Sequence, residues 1–139
     1  MRFLHVIASV DPRGGGPIEG LLRIHGALQA LGHQGEILCL DAPDFEPVLN
    51  HPGRIHALGP VRGTYGYCEA LAPWLRQHAG NYDAVIINGL WQYIGLAAWR
   101  ALRDTGVIIP AGSDAPGVAT KRPGPAGTKW PCWARTTRI

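Results

Sequence analysis

Lysine does not occur in the first 110 residues of this 139-residue chain, and only three cysteines, Cys39, Cys68 and Cys132, are spread along its whole length. The cysteines are odd in number, far apart and without a CxxC pair. Neither a disulfide framework nor a zinc site is indicated, and they read as free thiols, two of them buried. His25, His33, His51, His56 and His78 keep no ligand spacing, so no metal and no cofactor is expected. His5 falls within a strand and reads as a core histidine. No apolar run approaches the roughly 20 residues of a membrane span. The opening apolar stretch meets Asp11-Pro12 too soon for a signal peptide, and the expected location is the cytoplasm.

Charge is sparse and unevenly placed. Residues 1–110 hold eight arginines and nine acids, a net of −1, whereas residues 111–139 hold five basic residues and one acid, a net of +4. The formal charge of +3 and the pI near 9.0 therefore belong to the tail. With no interleaving of aromatic and basic residues, no helix-turn-helix pattern and no zinc-finger spacing, a nucleic-acid partner is not expected.

What is present is enough for one domain with a real core, since 46% of the residues are hydrophobic. Strand and helix signals alternate through residue 110, which predicts an α/β domain, a Rossmann-like parallel sheet with flanking helices. Arg2–Ala8 reads as the first strand. Ile18, Leu21, Leu22, His25, Leu28 and Leu31 recur at helical spacing, and Gly32 follows as a stop. Gly35–Leu40 is the second strand and Arg54–Leu58 a short third one. Leu71, Trp74 and Leu75 share a helix face. Ala84–Asn88 is continuous and β-branched, as central parallel strands are. A helix then turns Ile94, Ala97, Ala98, Ala101 and Leu102 inward, and Val107–Ile109 begins another strand. Residues 111–139 hold four glycines, four prolines and no leucine, and no period of 2 or 3.6 survives there. A segment so poor in apolar side chains cannot offset its ordering entropy, so an unstructured tail is expected.

The loop after the first strand, Asp11-Pro12-Arg13-Gly14-Gly15-Gly16-Pro17, carries the clearest functional signal. Glycines let backbone approach a ligand closely, and the free N–H groups of a helix start face an anion. Gly14, Gly15 and Gly16 are thus candidates for contact with a diphosphate or a sugar, with a flexible connector as the plain alternative. Arg13 is a candidate phosphate partner or a solvated loop charge. Glu19 opposes a bare phosphate at that helix start.

Several motifs in fixed order carry a resemblance. Arg2-Phe3-Leu4-His5-Val6, Gly14 through Gly20, Gly32-His33, Gly63-Thr64-Tyr65-Gly66-Tyr67, Trp74-Leu75-Arg76 and Tyr82 through Gln92 together resemble the N-terminal domain of family 4 glycosyltransferases over about the first 108 residues. The resemblance implies half of a GT-B enzyme, in which two Rossmann-like domains face each other across a cleft. It implies a nucleotide sugar as donor and a saccharide or lipid-linked saccharide as acceptor. Peripheral contact with a membrane is left open. The His-Gly pair expected after the strand at Val107 is replaced by Ile109-Pro110-Ala111-Gly112, and the second domain's glutamates have no counterpart. Residues 1–110 are therefore expected to be an incomplete acceptor-side domain, inactive alone. Residues 111–139 are expected to be a tail translated out of frame.

On the same reasoning Asn88 and Trp91 are placed to bond and stack an acceptor sugar, and Tyr65 and Tyr67 are further acceptor-side candidates. A core role for Trp91 and turn packing for the tyrosines are the plain alternatives. No catalytic base is identified, because neither Asp11 nor Asp41 has a partner suited to an acid/base couple. Two other functions stay open. Asp41 ends the second strand where a ribose-binding acid stands in dinucleotide-binding oxidoreductases, although Gly14, Gly16 and Gly20 give GxGxxxG rather than GxGxxG. A non-functional fragment is the other, with self-association through an incomplete sheet.

Overall fold

A computed structural model describes residues 1–89 and 92–105. They form β1 (Arg2–Ile7), α1 (Gly16–Ala30), β2 (Gln34–Cys39), α2 (Glu46–Leu49), β3 (Ile55–Ala57), α3 (Leu71–His78), β4 (Ala84–Asn88) and α4 (Tyr93–Leu102). All four strands are parallel in the order β3-β2-β1-β4. The α/β, Rossmann-like reading of the sequence therefore holds.

The alternation of β1 explains the two layers. Leu4 and Val6 face one side and meet α3 and α4 through Leu71, Leu75, Ile94 and Ala98, all fully buried. Ile7 points to the other side and packs with Ile37 and Cys39 against Ile18 and Leu21 of α1. Removing a side chain such as Leu75 would cost about 2–5 kcal/mol through lost burial and the cavity left behind.

Helix α1 ends as its sequence demands. Gly32 has φ +83° and donates to Gln29 O, while His33 N donates to Leu28 O, the paired bonds of a Schellman stop. Its apolar stripe is narrower than its spacing predicts. Ile18, Leu21 and His25 are buried, but Leu22 and Leu31 are 45% and 73% exposed. Leu22 lies on the flank of the stripe, and Leu31 sits past the last turn.

Ala84–Asn88 forms the strand expected of it, yet only Val85 is fully buried. Among the described residues β4 has a single neighbour, β1. The inward set of α4 (Ile94, Ala97, Ala98, Ala101, Leu102) is buried as predicted. The expected strand Val107–Ile109 and the tail beyond it lie outside the described residues.

The chain steps from β1 to β2 to β3 in one direction, then crosses back to lay β4 on the other side of β1. Open α/β sheets take their ligands beyond the carboxyl ends of the strands at such a reversal, here the ends of β1 and β4. The pairing of Ile7 with Asn88 sets the two strand ends side by side.

Candidate functional site

The loop after β1 is held from below by the end of β2. Asp41 accepts from the Ser9 hydroxyl and from the Val10 amide, each at 2.7 Å, and Ser9 Oγ in turn accepts from Asp11 N at 3.1 Å. Both Asp41 oxygens are thereby engaged with the protein, in the place where a dinucleotide-binding domain offers a carboxylate to ribose. Pro12–Gly14 then makes a short 3-10 turn that begins at Asp11, whose carboxylate accepts from Arg13 N at 2.9 Å.

Gly15 carries the chain into α1 with φ +72°, a conformation that L side chains resist. Gly16 is the first helical residue and Pro17 the second. The amides of Gly15, Gly16 and Ile18 have no acceptor among the described residues, as is usual for a helix start. A Cβ on Gly14 would touch only Ile18 Cγ2 at 4.0 Å, and one on Gly16 would meet nothing within 4 Å. Backbone conformation thus accounts for Gly15, whereas neither a positive φ nor packing accounts for Gly14 or Gly16.

Arg13 is turned to a partner of its own. Its Nη2 lies 2.7 Å from Asp11 Oδ2, and its Nε is 3.1 Å from both carboxylate oxygens. The guanidinium beside Asp11 holds that carboxyl below the usual range through these bonds, and the Arg13 side chain is largely exposed. Glu19 is exposed in the first turn of α1.

Asn88 closes β4. Its Nδ2 donates to Ile86 O at 3.1 Å and to Val6 O at 3.4 Å, and it faces His5 Nδ1 at 3.1 Å. The amide nitrogen is therefore committed to the sheet, and Oδ1 is the atom that remains for a ligand. With Nδ1 accepting, the proton of His5 sits on Nε2. His5 is fully buried, as a core histidine should be, and burial followed by the nearby His25 lowers its pKa to about 4. Trp91 lies outside the described residues.

Tyr65 and Tyr67 are brought to the same end of the sheet. Arg62 and Tyr67 exchange both backbone bonds (2.8 and 3.0 Å), and positive φ at Gly63 and Gly66 closes the tight loop between them. The loop rests on the first turn of α4, where Tyr93 N donates to Tyr65 O at 3.0 Å. The Tyr93 ring centroid is 4.8 Å from that of Tyr67 and 6.2 Å from that of Tyr65. Tyr93 was not among the residues expected from the sequence. Its helical spacing with Ala97 and Ala101 marks it as core, and nothing local shows that a loop nearly thirty residues earlier covers it. A cleft of about 170 Å3 runs beside this loop, lined in part by Pro60, Arg62, Tyr67 and Glu69.

A second polar cluster lies away from these loops, around Glu36 of β2. Tyr82 donates to Glu36 Oε2 at 2.6 Å, His56 Nε2 lies 2.7 Å from the same oxygen, and Arg2 and Arg54 approach Oε1 at 3.5 and 3.6 Å. Desolvation raises the Glu36 pKa, but the bonds from His56 and Tyr82 and the charge of Arg54 outweigh it and leave the carboxyl below its ordinary value. Burial and this carboxylate push the Tyr82 phenol up. Every member has a partner within the cluster, which ties β1, β2 and β3 to the chain leading into β4.

Cys39 and Cys68 are buried free thiols, as read from the sequence, and burial pushes Cys39 up to about 12. Cys132 lies outside the described residues. Among the described residues no helix is long and apolar enough to cross a membrane.

No curated protein and no solved structure matches the chain. The model of the glycosyl transferase 4-like domain does, over residues 15–134. That span opens inside the glycine loop and takes in α1 through α4. It also runs past residue 108, where the recognisable motifs stop, and so includes the change of composition near residue 110. Since the match spans most of the sequence, the chain belongs to the glycosyl transferase 4-like domain family.

Proposed function

We propose that this domain is the acceptor-side half of an enzyme that moves a sugar from a nucleotide sugar to a saccharide or lipid-linked saccharide. In that reaction the bond between the anomeric carbon and the donor phosphate breaks, a bond to the acceptor oxygen forms, and the acceptor hydroxyl gives up its proton. The loop Gly14–Gly16 reaches the donor phosphates or sugar, and Asn88 Oδ1, Tyr65 and Tyr67 meet the acceptor. Trp91 is assigned to the acceptor side with them.

The observation that carries this reading is the pair of glycines that internal packing leaves unexplained. Gly14 and Gly16 have room for a side chain, and both line a loop at the reversal of strand order. Close approach by a ligand gives them a reason. The two engaged oxygens of Asp41 weigh against a dinucleotide-binding oxidoreductase, because the ribose acceptor that such a domain needs is already bonded to Ser9 and Val10.

Residues 1–110 act as one wall, and transfer requires a second wall to set donor against acceptor, since positioning supplies much of the rate. The tail 111–139 takes no part in this reading. Fluorescence titration of the 139-residue chain separates the alternatives. Saturable quenching by a nucleotide diphosphate sugar, with none by NADH and no sugar transfer, is the expected result. Saturable NADH binding would overturn the reading in favour of an oxidoreductase, and turnover by this chain alone would overturn the need for a second wall.

A further inference from the structure

Arginine is the only basic residue apart from histidine in the first 110 residues, and its pairing divides the surface in two. Arg2 and Arg54 reach Glu36, Arg13 reaches Asp11, and Arg103 reaches Asp104. Arg23, Arg62, Arg76 and Arg100 have no ion pair among the described residues. Three of these four gather at the tyrosine edge, and one lone exposed arginine is left elsewhere, on α1.

The gathering follows from the fold. Arg62 opens the tyrosine loop and lines its cleft with Tyr67. Arg100 stands seven residues after Tyr93, hence on the same face of α4. Arg76 comes from α3, which packs directly against α4. Burial, and then Tyr67, raise the Tyr93 pKa, while the charges of Arg100 and Arg76 pull against them; both guanidiniums thus lie within electrostatic reach of that phenol. All three arginines are exposed. Glu69, which also lines the cleft, offsets one of the three charges. A positive excess therefore borders an aromatic edge in which Tyr65 and Tyr67 are 50% and 44% exposed.

We propose that the acceptor is an acidic saccharide, whose phosphate or carboxylate is held by Arg76 and Arg100 while its ring packs on Tyr65 and Tyr67. This inference rests on the acceptor-side reading above and goes further by naming the chemical class of the acceptor. A guanidinium offers two parallel N–H donors that match the oxygens of either anion, and ring faces suit aromatic side chains. An exposed arginine on its own is an ordinary solvated charge. Three without carboxylate partners beside two exposed tyrosines make a surface that suits an anion attached to an apolar ring face.

Calorimetric titration of the full 139-residue chain tests this with four probes: glucose 1-phosphate, glucuronate, a neutral glucose disaccharide and inorganic phosphate. Both acidic sugars should bind about tenfold or more tightly than the neutral one, the effect expected of one charge-assisted contact. The preference should fall towards parity in the R76Q/R100Q double variant and in 0.5 M salt, and persist in R23Q. Because every substituted arginine is exposed, the variants should keep the parent's melting temperature. Equal binding of neutral and acidic sugars would overturn the inference and leave the acceptor reading standing. Phosphate binding as tightly as glucose 1-phosphate, unaffected by Tyr67→Ala, would mean a bare anion site and would also overturn it. If no saccharide binds, the acceptor reading fails and the inference with it.

Discussion

Asp41, at the end of β2, holds Ser9 of the neighbouring β1 loop through a 2.7 Å bond to its hydroxyl, and its second oxygen takes the Val10 amide at the same distance. The shape of the glycine loop is thus set by a carboxylate 32 residues away in sequence. The loop meets a ligand in the form in which the sheet presents it.

Replacing Asp41 with Ala leaves the Val10 amide and the Ser9 hydroxyl without their acceptor in a part-buried position. Stability should drop by about 1–3 kcal/mol. Nucleotide-sugar affinity should weaken as the loop loosens, and D41N, which keeps one acceptor oxygen, should fall between. Urea denaturation and ligand titration on the same samples check both effects. If D41A matches the parent in each, the clamp does not shape the loop.

Two glycine substitutions separate packing from ligand contact. A Cβ on Gly59 would run into the carbonyl oxygen of Leu40 and come within 2.6 Å of the Asp41 carbonyl carbon, where only backbone movement relieves it. Gly59→Ala should destabilise the domain by about 1–3 kcal/mol, the usual cost of overpacking. Gly16→Ala meets open space at the first helical position, so stability should hold or rise by up to about 1 kcal/mol. Its expected defect is in ligand binding alone. Thermal melts with and without nucleotide sugar distinguish the two, and a G16A variant that binds as well as the parent would count against the loop contact.

Acid should unfold the domain earlier than its surface carboxylates require. His5 Nε2 and His25 Nδ1 are buried without partners among the described residues, and burial lowers both pKa values, that of His5 to about 4. The unfolded chain takes up a proton near pH 6.5, but the folded chain resists until about pH 4. The stabilisation from His5 is therefore complete above pH 6.5 and is lost as the pH falls towards 4, in total about 3 kcal/mol. Glu36, whose carboxyl is held below its ordinary 4.5, adds a further loss below that pH. Urea midpoints should hold between pH 7.5 and 6.5 and fall from there to pH 4, and a flat profile below pH 6.5 would contradict the burial of a neutral His5.

Local pattern was enough to read the sheet and most helices. The β-branched run Ala84–Asn88 and the stop at Gly32 each act through their immediate neighbours, so a short window contains the physics. Side-chain partners across the sheet were not legible. Asp41 shows no partner in its own segment, and Glu36, His56 and Tyr82 meet only because β2, β3 and the approach to β4 are brought side by side. Arg13 reads as a phosphate partner or a solvated loop charge, and its pairing with Asp11, two residues away, is a side-chain contact that neither reading contains. Helix α2 was missed because four residues, Glu46–Leu49, hold too little of a period to register. The tyrosines at 65 and 67 were legible as a loop rich in binding groups, but their contact with Tyr93 depends on where α4 begins.

The central claim is that the loop from Gly14 to Ile18 receives the donor. Amide chemical shifts of the 15N-labelled chain, followed while a nucleotide diphosphate sugar is added, test it most directly. The account predicts saturable shifts concentrated at Gly15, Gly16 and Ile18, the amides without an acceptor, and their loss in Gly16→Ala at unchanged fold. Shifts that leave these three amides in place while others move, or no shifts at millimolar ligand, would contradict it.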